Sequence, residues 1–198
     1  MSNRGYTIKN QHAVQFITFA VVQWVDARLR NGQVFSRKEY ADILVESLKH
    51  CQKEKGLKVH AWCIMSNHLH LILSATEPNK LSDILRDLKK FTSINIIKAI
   101  SENPKESRKS CLPELQAGML WIFKDAGEKN NRNKDYQFWQ QDNHPIECDT
   151  NEILETRLIY IHQNPVRAGL VRYEQDYVYS SGIDCYAEGK GFLEIDFV

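Results

Sequence analysis

The spacing of the apolar positions predicts a chain in which strands alternate with helices. Residues 13–25 are rich in Val, Phe and Ile, and they predict a first strand. Ser36 and Glu39 form a capping-box pattern at the start of a helix that runs to about Lys55, and Gly56 ends this helix.

Two apolar runs follow this helix and are separated by Ser66 and Asn67. Residues 57–65 and 68–74 predict neighbouring antiparallel strands, because each run has the length of a buried strand and a short polar turn joins them. Residues 81–100 then predict a helix with several basic side chains. The next part of the chain predicts a loop, a short strand and a second loop, over residues 104–113, 119–123 and 127–136.

The last predicted helix has signals at both ends. Asp149 and Glu152 form a capping box, apolar residues recur at helical spacing, and Pro165 is predicted to stop the helix after Asn164. Strands alternating with two or three helices around a small antiparallel sheet give an α+β fold. Phe138 and Trp139 begin an edge strand, stack on an unpaired base or pack in the core, and core packing is the commoner role for such residues.

Length and composition predict a single domain over residues 1–198. The 198 residues are 42% hydrophobic, which suffices for one sizeable core, and there is no internal repeat. The five cysteines are scattered and form no Cys-x-x-Cys pair, so a reducing cytoplasm is favoured over a disulfide framework. No apolar run approaches the ~20 residues of a membrane helix, so we expect a soluble protein without a membrane partner.

The charge is unevenly distributed along the chain, although its net value is only +1. Residues 80–134 contain 12 basic and 7 acidic side chains, whereas residues 135–198 contain 4 basic and 12 acidic ones. Arg86, Lys89 and Lys90 lie on the predicted middle helix and are candidates for contacts with a phosphate backbone. An ordinary solvated helix face explains the same charges equally well.

Two histidines at alternate positions are the first sign of chemistry. Side chains alternate between the faces of a strand, so His68 and His70 project to the same side and could hold a metal ion together. In the alternative interpretation, one histidine is exposed and the other is a hydrogen-bonded core residue.

A tyrosine near a metal would add a nucleophile. Tyr160 and Asn164 are four residues apart and therefore share one face of the last predicted helix. Tyr160 could attack a phosphate and Asn164 could supply an oxygen ligand. Alternatively, Tyr160 is an amphipathic core residue and Asn164 caps the helix.

Together these elements resemble the HUH single-tyrosine transposases, especially the REP-associated tyrosine transposases and their insertion-sequence relatives. Five blocks stand in the order that the family shows and span most of the chain. They are Met65-Ser66-Asn67-His68-Leu69-His70, Leu81-Ser82-Asp83-Ile84 with Leu88-Lys89-Lys90-Phe91-Thr92, Phe138-Trp139-Gln140-Gln141-Asp142, Tyr160-Ile161-His162-Gln163-Asn164-Pro165-Val166-Arg167-Ala168-Gly169-Leu170-Val171, and Tyr179-Ser180-Ser181.

The resemblance implies a ferredoxin-like antiparallel sheet with helices packed on it, and an enzyme that cleaves and joins single-stranded DNA near hairpins or palindromic repeats. It implies that His68, His70 and Asn164 bind Mg²⁺ or Mn²⁺, and that Tyr160 forms a 5′-phosphotyrosine intermediate. Arg167 is a further candidate DNA contact, since Gly169 permits close backbone approach, although a plain turn explains this segment as well. Relatives include both monomers and homodimers.

Two positions depart from the family pattern. Ser66 stands where relatives usually have proline, and Asn164 stands where better-known relatives have glutamine. Asparagine is one methylene shorter, so the helix must lie closer to the sheet for Asn164 to bind the metal. His162 or Gln163 could take its place, although neither shares the face of Tyr160 as well.

Two other functions stay open at this stage. One is an inactive, domesticated protein that binds DNA hairpins without cleaving them. The other is a metal hydrolase that combines His68 and His70 with Asp142 or Glu147 and forms no covalent tyrosine intermediate.

Overall fold

A four-stranded antiparallel sheet forms the centre of the molecule. The computed structural model describes residues 7–24, 34–108, 118–131 and 135–197. In the order of the chain the strands are β1 (Gln15–Ala20), β2 (Leu57–Ile64), β3 (His68–Ala75) and β4 (Ile146–Glu147), and their order in the sheet is β2-β3-β1-β4. The predicted α+β class and the predicted β2-β3 pair are both confirmed.

Five helices accompany these strands in the described residues. They are α1 (Lys38–Lys55), α2 (Leu81–Glu102), α3 (Met119–Glu128), α4 (Asn151–Arg167) and α5 (Gly182–Tyr186). Short 3-10 turns lie at Val22–Trp24, Val34–Ser36 and Glu174–Asp176. No helix in the described ranges is long and apolar enough to span a membrane.

The two faces of the sheet carry different layers. A large core of residues such as Phe19, Leu69 and Leu71 packs against α1 and α2 on one face. The opposite face carries a smaller core, in which Phe16 and Ile72 of the sheet contact Ile161 of α4. The alternation of side chains along each strand produces this division, and it places α4 on the face opposite to α1 and α2.

The first helix begins later than its predicted cap. Ser36 lies in a 3-10 turn and accepts a hydrogen bond from Arg108, and Arg37 occupies the N-cap position of α1 without a side-chain cap. The predicted end is confirmed, because Gly56 takes a left-handed conformation with φ of 66° and its N–H donates to the Cys51 carbonyl. A residue with a side chain adopts such a conformation only at some cost.

The predicted strand over residues 119–123 is wrong, because these residues begin helix α3. Met119, Ile122 and Phe123 are buried at the i, i+3 and i+4 spacing of a helix. A short apolar run does not distinguish a strand from a buried helical turn. Helix α3 also includes the first two residues of the loop predicted at 127–136. The predictions for residues 25, 109–117 and 132–134 lie outside the described residues.

Both predicted ends of α4 are shifted. Thr150, rather than Asp149, is the N-cap, and its Oγ1 accepts a hydrogen bond from the Ile153 N–H. Pro165 lies inside the helix, which continues to Arg167, because a proline in the last turn removes only one backbone donor.

The actual stop signal of α4 is Gly169. It has a φ of 69°, its N–H donates to the Val166 carbonyl, and the next N–H, of Leu170, donates to the Pro165 carbonyl. These two bonds form a Schellman motif.

The chain after α4 returns to the sheet and covers its β2 edge. The Ile64 N–H donates to the Tyr179 carbonyl, and the Ser181 N–H donates to the Trp62 carbonyl. Further along, the Asp196 N–H donates to the Val59 carbonyl. The edge strand is thereby protected from pairing with another chain.

Candidate active site

The two predicted histidines lie side by side at the start of β3. The ring centroids of His68 and His70 are 4.7 Å apart, and the rings meet edge to face. The neighbouring strand β1 pairs antiparallel with β3, and Thr18 lies opposite His70 in the register. The strand alternation that predicts a common face for both imidazoles is therefore correct.

Neighbouring side chains set the orientation of both rings. Nδ1 of His70 lies 2.9 Å from Oγ1 of Thr18, and Nδ1 of His68 lies 2.7 Å from Oδ1 of Asn67. Because the Asn67 oxygen can only accept, Nδ1 of His68 is the protonated nitrogen; Thr18 can accept in the same way. In this tautomer Nε2 of each ring carries the lone pair, as in the supported histidines of metal sites.

His70 carries the clearest sign of a ligand position. Its side chain is only 3% exposed, and Nε2 is buried without a hydrogen-bond partner among the described residues. Burial, and then the nearby imidazole of His68, lower the pKa of His70 to about 3, so the ring is neutral at neutral pH. A neutral imidazole whose buried Nε2 has no described partner fits a divalent cation better than a plain core position.

Helix α4 brings Tyr160 to the histidines. The ring of Tyr160 lies edge to face with His70 at a centroid distance of 5.2 Å, and it contacts Phe16 at 5.9 Å. The adjacent Ile161 is fully buried in the smaller core and fixes the helix on this face of the sheet. The hydroxyl of Tyr160 makes no hydrogen bond within the described ranges, which leaves it available for a substrate.

Asn164 stays a candidate rather than an established ligand. Its side-chain nitrogen donates to the Tyr160 carbonyl 2.7 Å away, so its amide oxygen is the atom that could bind a metal. Of the two substitutes considered, His162 is fully buried and bonded to Ser181, and Gln163 donates to Glu174. Both side chains are thus engaged in other contacts.

Acidic ligands for the hydrolase alternative are not assembled here. Among the described residues, no group of three or more His, Cys, Asp and Glu side chains could hold a metal ion. Glu147 accepts a hydrogen bond from Gln15, at the far end of β1 from the histidines.

The predicted DNA contacts occupy two different places. Arg86 and Lys90 are exposed on α2, on the sheet face opposite to Tyr160, and Arg86 also forms ion pairs with Asp83 and Asp87. Arg167 is exposed on α4, the helix that carries Tyr160. A DNA strand that contacts both places must pass around an edge of the sheet.

Lys89 has a role inside the protein. Its Nζ donates to the Gln140 carbonyl and to Oδ1 of Asn143, both at 2.6 Å, and lies 5.1 Å from the ring centroid of Phe19. Burial lowers the pKa of Lys89 to about 8. Lys89 therefore fastens the segment after Trp139 to α2, and its contact with DNA stays a prediction.

The aromatic pair Phe138-Trp139 lies in the core, as favoured from the sequence. The two side chains are 1% and 5% exposed, and Nε1 of Trp139 donates to Oγ1 of Thr92. These residues do not present a free face for stacking on a base.

Sequence reasoning missed the residues that support the site. Thr18 is a polar residue on the strand face that carries Phe16. A polar residue on this otherwise apolar face was the sequence signal that could have indicated its role. Asn67 directly precedes His68, but its hydrogen bond depends on a turn geometry that the sequence does not specify. Buried His162 and Ser181 form a cluster with the more exposed Tyr186, and this cluster joins segments 19 to 24 residues apart.

Comparison with known proteins gives three results. Residues 22–112 match the model of the family described as "Transposase IS200 like". A solved structure of a REP-associated tyrosine transposase bound to a REP hairpin is similar over 100% of this chain and 91% of that chain, with 19% identity and a TM-score of 0.59. A protein of Deinococcus radiodurans R1, described as a candidate transposase, matches over 54% of this chain and 75% of that chain, with 22% identity and a TM-score of 0.35.

No curated protein sequence matches this chain. The family match includes the histidine motif at His68 and His70, and the structural match extends over the tyrosine helix. These matches agree with the resemblance of the motifs: residues 22–112 match the IS200-like transposase family, and the chain has the fold of a REP-associated tyrosine transposase.

Proposed function

We propose that this protein is a transposase that cuts and joins single-stranded DNA near hairpins through a 5′-phosphotyrosine on Tyr160. The observation that carries the proposal is the contact between Tyr160 and His70, whose Nε2 is buried without a partner in the described structure. The family match and the REP hairpin bound by the structural relative support the same conclusion.

His68, His70 and Asn164 are the residues that would hold a divalent ion. Nitrogen and oxygen donors suit Mn²⁺ and permit Mg²⁺. When bound, the ion would polarise the scissile phosphate and stabilise the charge that develops on its oxygens. The contacts of Asn67 and Thr18 support this role, because Asn67 accepts the Nδ1 proton of His68 and Thr18 can accept that of His70, which leaves Nε2 of each ring for a metal.

Tyr160 supplies the nucleophile. Its Oη forms a bond to phosphorus, and the bond from phosphorus to the 3′ oxygen breaks. The products are a 5′-phosphotyrosine and a free 3′-hydroxyl that takes up a proton. The phenolic proton must leave during the attack, because the oxygen that bonds to phosphorus cannot keep it. Because the Tyr160 hydroxyl has no described protein partner, we assign this proton to solvent.

This reaction exchanges one phosphodiester for another. A second 3′-hydroxyl can therefore attack the phosphotyrosine in reverse, and it joins strands without ATP. Arg167 lies on the same helix as Tyr160 and would contact the DNA near the cut, whereas Arg86 and Lys90 would contact a more distant part of the substrate. We expect the protein to work in the cytoplasm, either as a monomer or as a homodimer.

A cleavage assay with labelled DNA tests the proposal. The substrate is single-stranded hairpin DNA from the flanks of the protein's own gene, incubated with Mn²⁺ or with EDTA and resolved on a denaturing gel. Tyr160→Phe removes the nucleophile, and Tyr173→Phe is the matched control because Tyr173 is exposed elsewhere on the surface. We expect a metal-dependent covalent adduct that Tyr160→Phe abolishes and Tyr173→Phe retains.

Other results would support the competing functions. Cleavage that survives Tyr160→Phe would favour the metal hydrolase. Hairpin binding without any cleavage would favour the inactive DNA-binding protein.

A further inference from the structure

A polar cluster with a buried centre lies on the side of α4 that faces away from the histidine pair. Its centre is His162, which is fully buried. Nε2 of His162 lies 2.7 Å from Oγ of Ser181, and Nδ1 lies 3.4 Å from the hydroxyl of Tyr186. The rings of His162 and Tyr186 also meet edge to face, at a centroid distance of 5.2 Å.

Ser181 connects this cluster to the backbone of β2. The Trp62 N–H donates to Oγ of Ser181 at 3.0 Å, and the Ser181 N–H donates to the Trp62 carbonyl at 3.0 Å. Helix α4 is therefore tied to the edge of the sheet through a side chain, in addition to the apolar contact of Ile161.

The segment around Ser181 is closely packed. A Cβ atom on Gly182 would lie only 2.2 Å from the carbonyl oxygen of Glu174, so the two backbones are in close contact. The side chain of Glu174 accepts a hydrogen bond from Gln163 of α4. The hydrogen bond from His162 thus reaches a closely packed segment that also contacts α4 through Gln163.

The positions of Tyr160 and His162 on the helix give the cluster a consequence for the site. Successive residues turn by about 100° around an α-helix, so residues two positions apart are about 200° of rotation apart and lie on nearly opposite sides. Tyr160 points to His70 on one side, while His162 is held by Ser181 on the other. Contacts on opposite sides oppose rotation of the helix about its own axis.

We propose that His162 and Ser181 are positioning residues that hold the rotation of α4 and thereby keep the Tyr160 hydroxyl in line with the site. This inference rests on the proposed function. Neither side chain touches the substrate; both act through the helix. A displacement of about 1 Å at a reacting group can lower a rate by about a hundredfold, so a small rotation is sufficient to matter.

The test compares variants that remove one bond at a time. His162→Phe keeps a ring of similar size and loses both hydrogen bonds, and Ser181→Ala loses the hydroxyl. His162→Gln retains a donor and an acceptor and should restore part of the activity. Tyr186→Phe keeps the ring contact and loses only the longer 3.4 Å contact, so it is the control that should have a smaller effect.

Activity is measured as the single-turnover cleavage rate at saturating hairpin DNA, below the unfolding temperature of each variant. We expect the rate to fall about 10- to 100-fold in His162→Phe and in Ser181→Ala, while the dissociation constant of the hairpin changes less than twofold. The double variant should be no slower than the slower single variant, because both residues act through one bond. Unchanged rates in the folded variants would overturn the proposal.

A second measurement does not depend on activity. The ring protons of Tyr160 and His70 are close enough for a nuclear Overhauser effect in the free protein. We expect this signal to weaken in His162→Phe and in Ser181→Ala, and an unchanged signal in both would overturn the proposal. If the wild-type protein does not cleave DNA, the proposed function fails, and this signal still decides whether the pair positions Tyr160.

Discussion

Replacing Thr18 by valine should weaken metal binding without changing the fold. Valine has nearly the shape of threonine and is favoured in strands, so β1 keeps its packing. The substitution removes Oγ1, which lies 2.9 Å from Nδ1 of His70. Nδ1 then has no acceptor, and the tautomer that places the lone pair on Nε2 loses its support.

The size of the effect follows from the position of this contact. Loss of a hydrogen bond that orients a metal-binding histidine typically reduces metal affinity or activity by about 10- to 100-fold. This corresponds to about 1.4–2.8 kcal/mol of binding free energy. The unfolding free energy should fall by only about 1 kcal/mol, the usual net contribution of one hydrogen bond. Metal binding should therefore respond more strongly than stability.

Isothermal titration with Mn²⁺ measures the affinity, and thermal unfolding of the metal-free protein measures the stability. Thr76→Val is the matched control, because Thr76 is exposed just beyond the end of β3. An Mn²⁺ affinity within twofold of the wild-type value in Thr18→Val would refute the reasoning. Absence of Mn²⁺ binding by the wild-type protein would refute the metal site itself.

Three further predictions concern stability and DNA binding. Burial alone would raise the pKa of Glu106, but hydrogen bonds from Arg108 and other donors hold this pKa at about 2, against an ordinary 4.5. The ionised carboxylate therefore contributes about 3 kcal/mol to the unfolding free energy above pH 4.5, and this contribution is lost as the pH falls towards 2. In acid unfolding experiments, Glu106→Gln should be less stable at pH 7 and lose much less stability over that interval; an equal loss in both proteins would contradict this assignment. Gly56→Ala should lower the unfolding free energy by about 1–2 kcal/mol, because the residue needs a positive φ and its Cβ would lie 2.8 Å from Nδ2 of Asn79. Gly169→Ala should lower it less, since a Cβ at that position would meet nothing within 4 Å. Lys90→Gln should weaken binding to all hairpin sequences equally, and it should reduce the salt dependence of the binding constant by the amount expected for about one phosphate contact. The control is Lys53→Gln, at an exposed position on α1, and an effect no larger than that of the control would show that Lys90 does not contact DNA.

The elements with long or repeated signals were predictable from the sequence. The β2-β3 pair follows from two apolar runs around a polar turn, and α1 and α2 follow from helical spacing over many residues. The common face of His68 and His70 required only the alternation of a strand. Each of these features depends on local periodicity, which the sequence displays directly.

The wrong predictions depended on short signals or on distant contacts. Residues 119–123 contain too few positions to distinguish a strand from a helical turn, and the burial of Phe123 in the large core favours the helix. Pro165 suggested a stop, but Gly169 two residues after the helix supplies the hydrogen bonds that end it.

The residues that support the candidate site could not be predicted from local sequence patterns, because their contacts also join distant parts of the chain. Thr18 meets His70 across 52 positions of the chain, and Ser181 meets Trp62 across 119. Such contacts form only when the strands pair and the tail returns to the sheet. The sequence indicated the candidate reacting groups, and the fold determines which residues support them.

Identification of the residue that carries DNA after the reaction tests the central claim most directly. The covalent product is digested with nuclease and trypsin and analysed by mass spectrometry, since trypsin cuts after Arg157 and Arg167 and releases residues 158–167 as one peptide. This peptide contains Tyr160 as its only tyrosine. We predict that it carries the mass of a 5′-nucleotide remnant, that fragmentation assigns this mass to Tyr160, and that EDTA abolishes the product. A remnant on any other residue, or cleavage that leaves no remnant on the protein, would contradict the proposed mechanism.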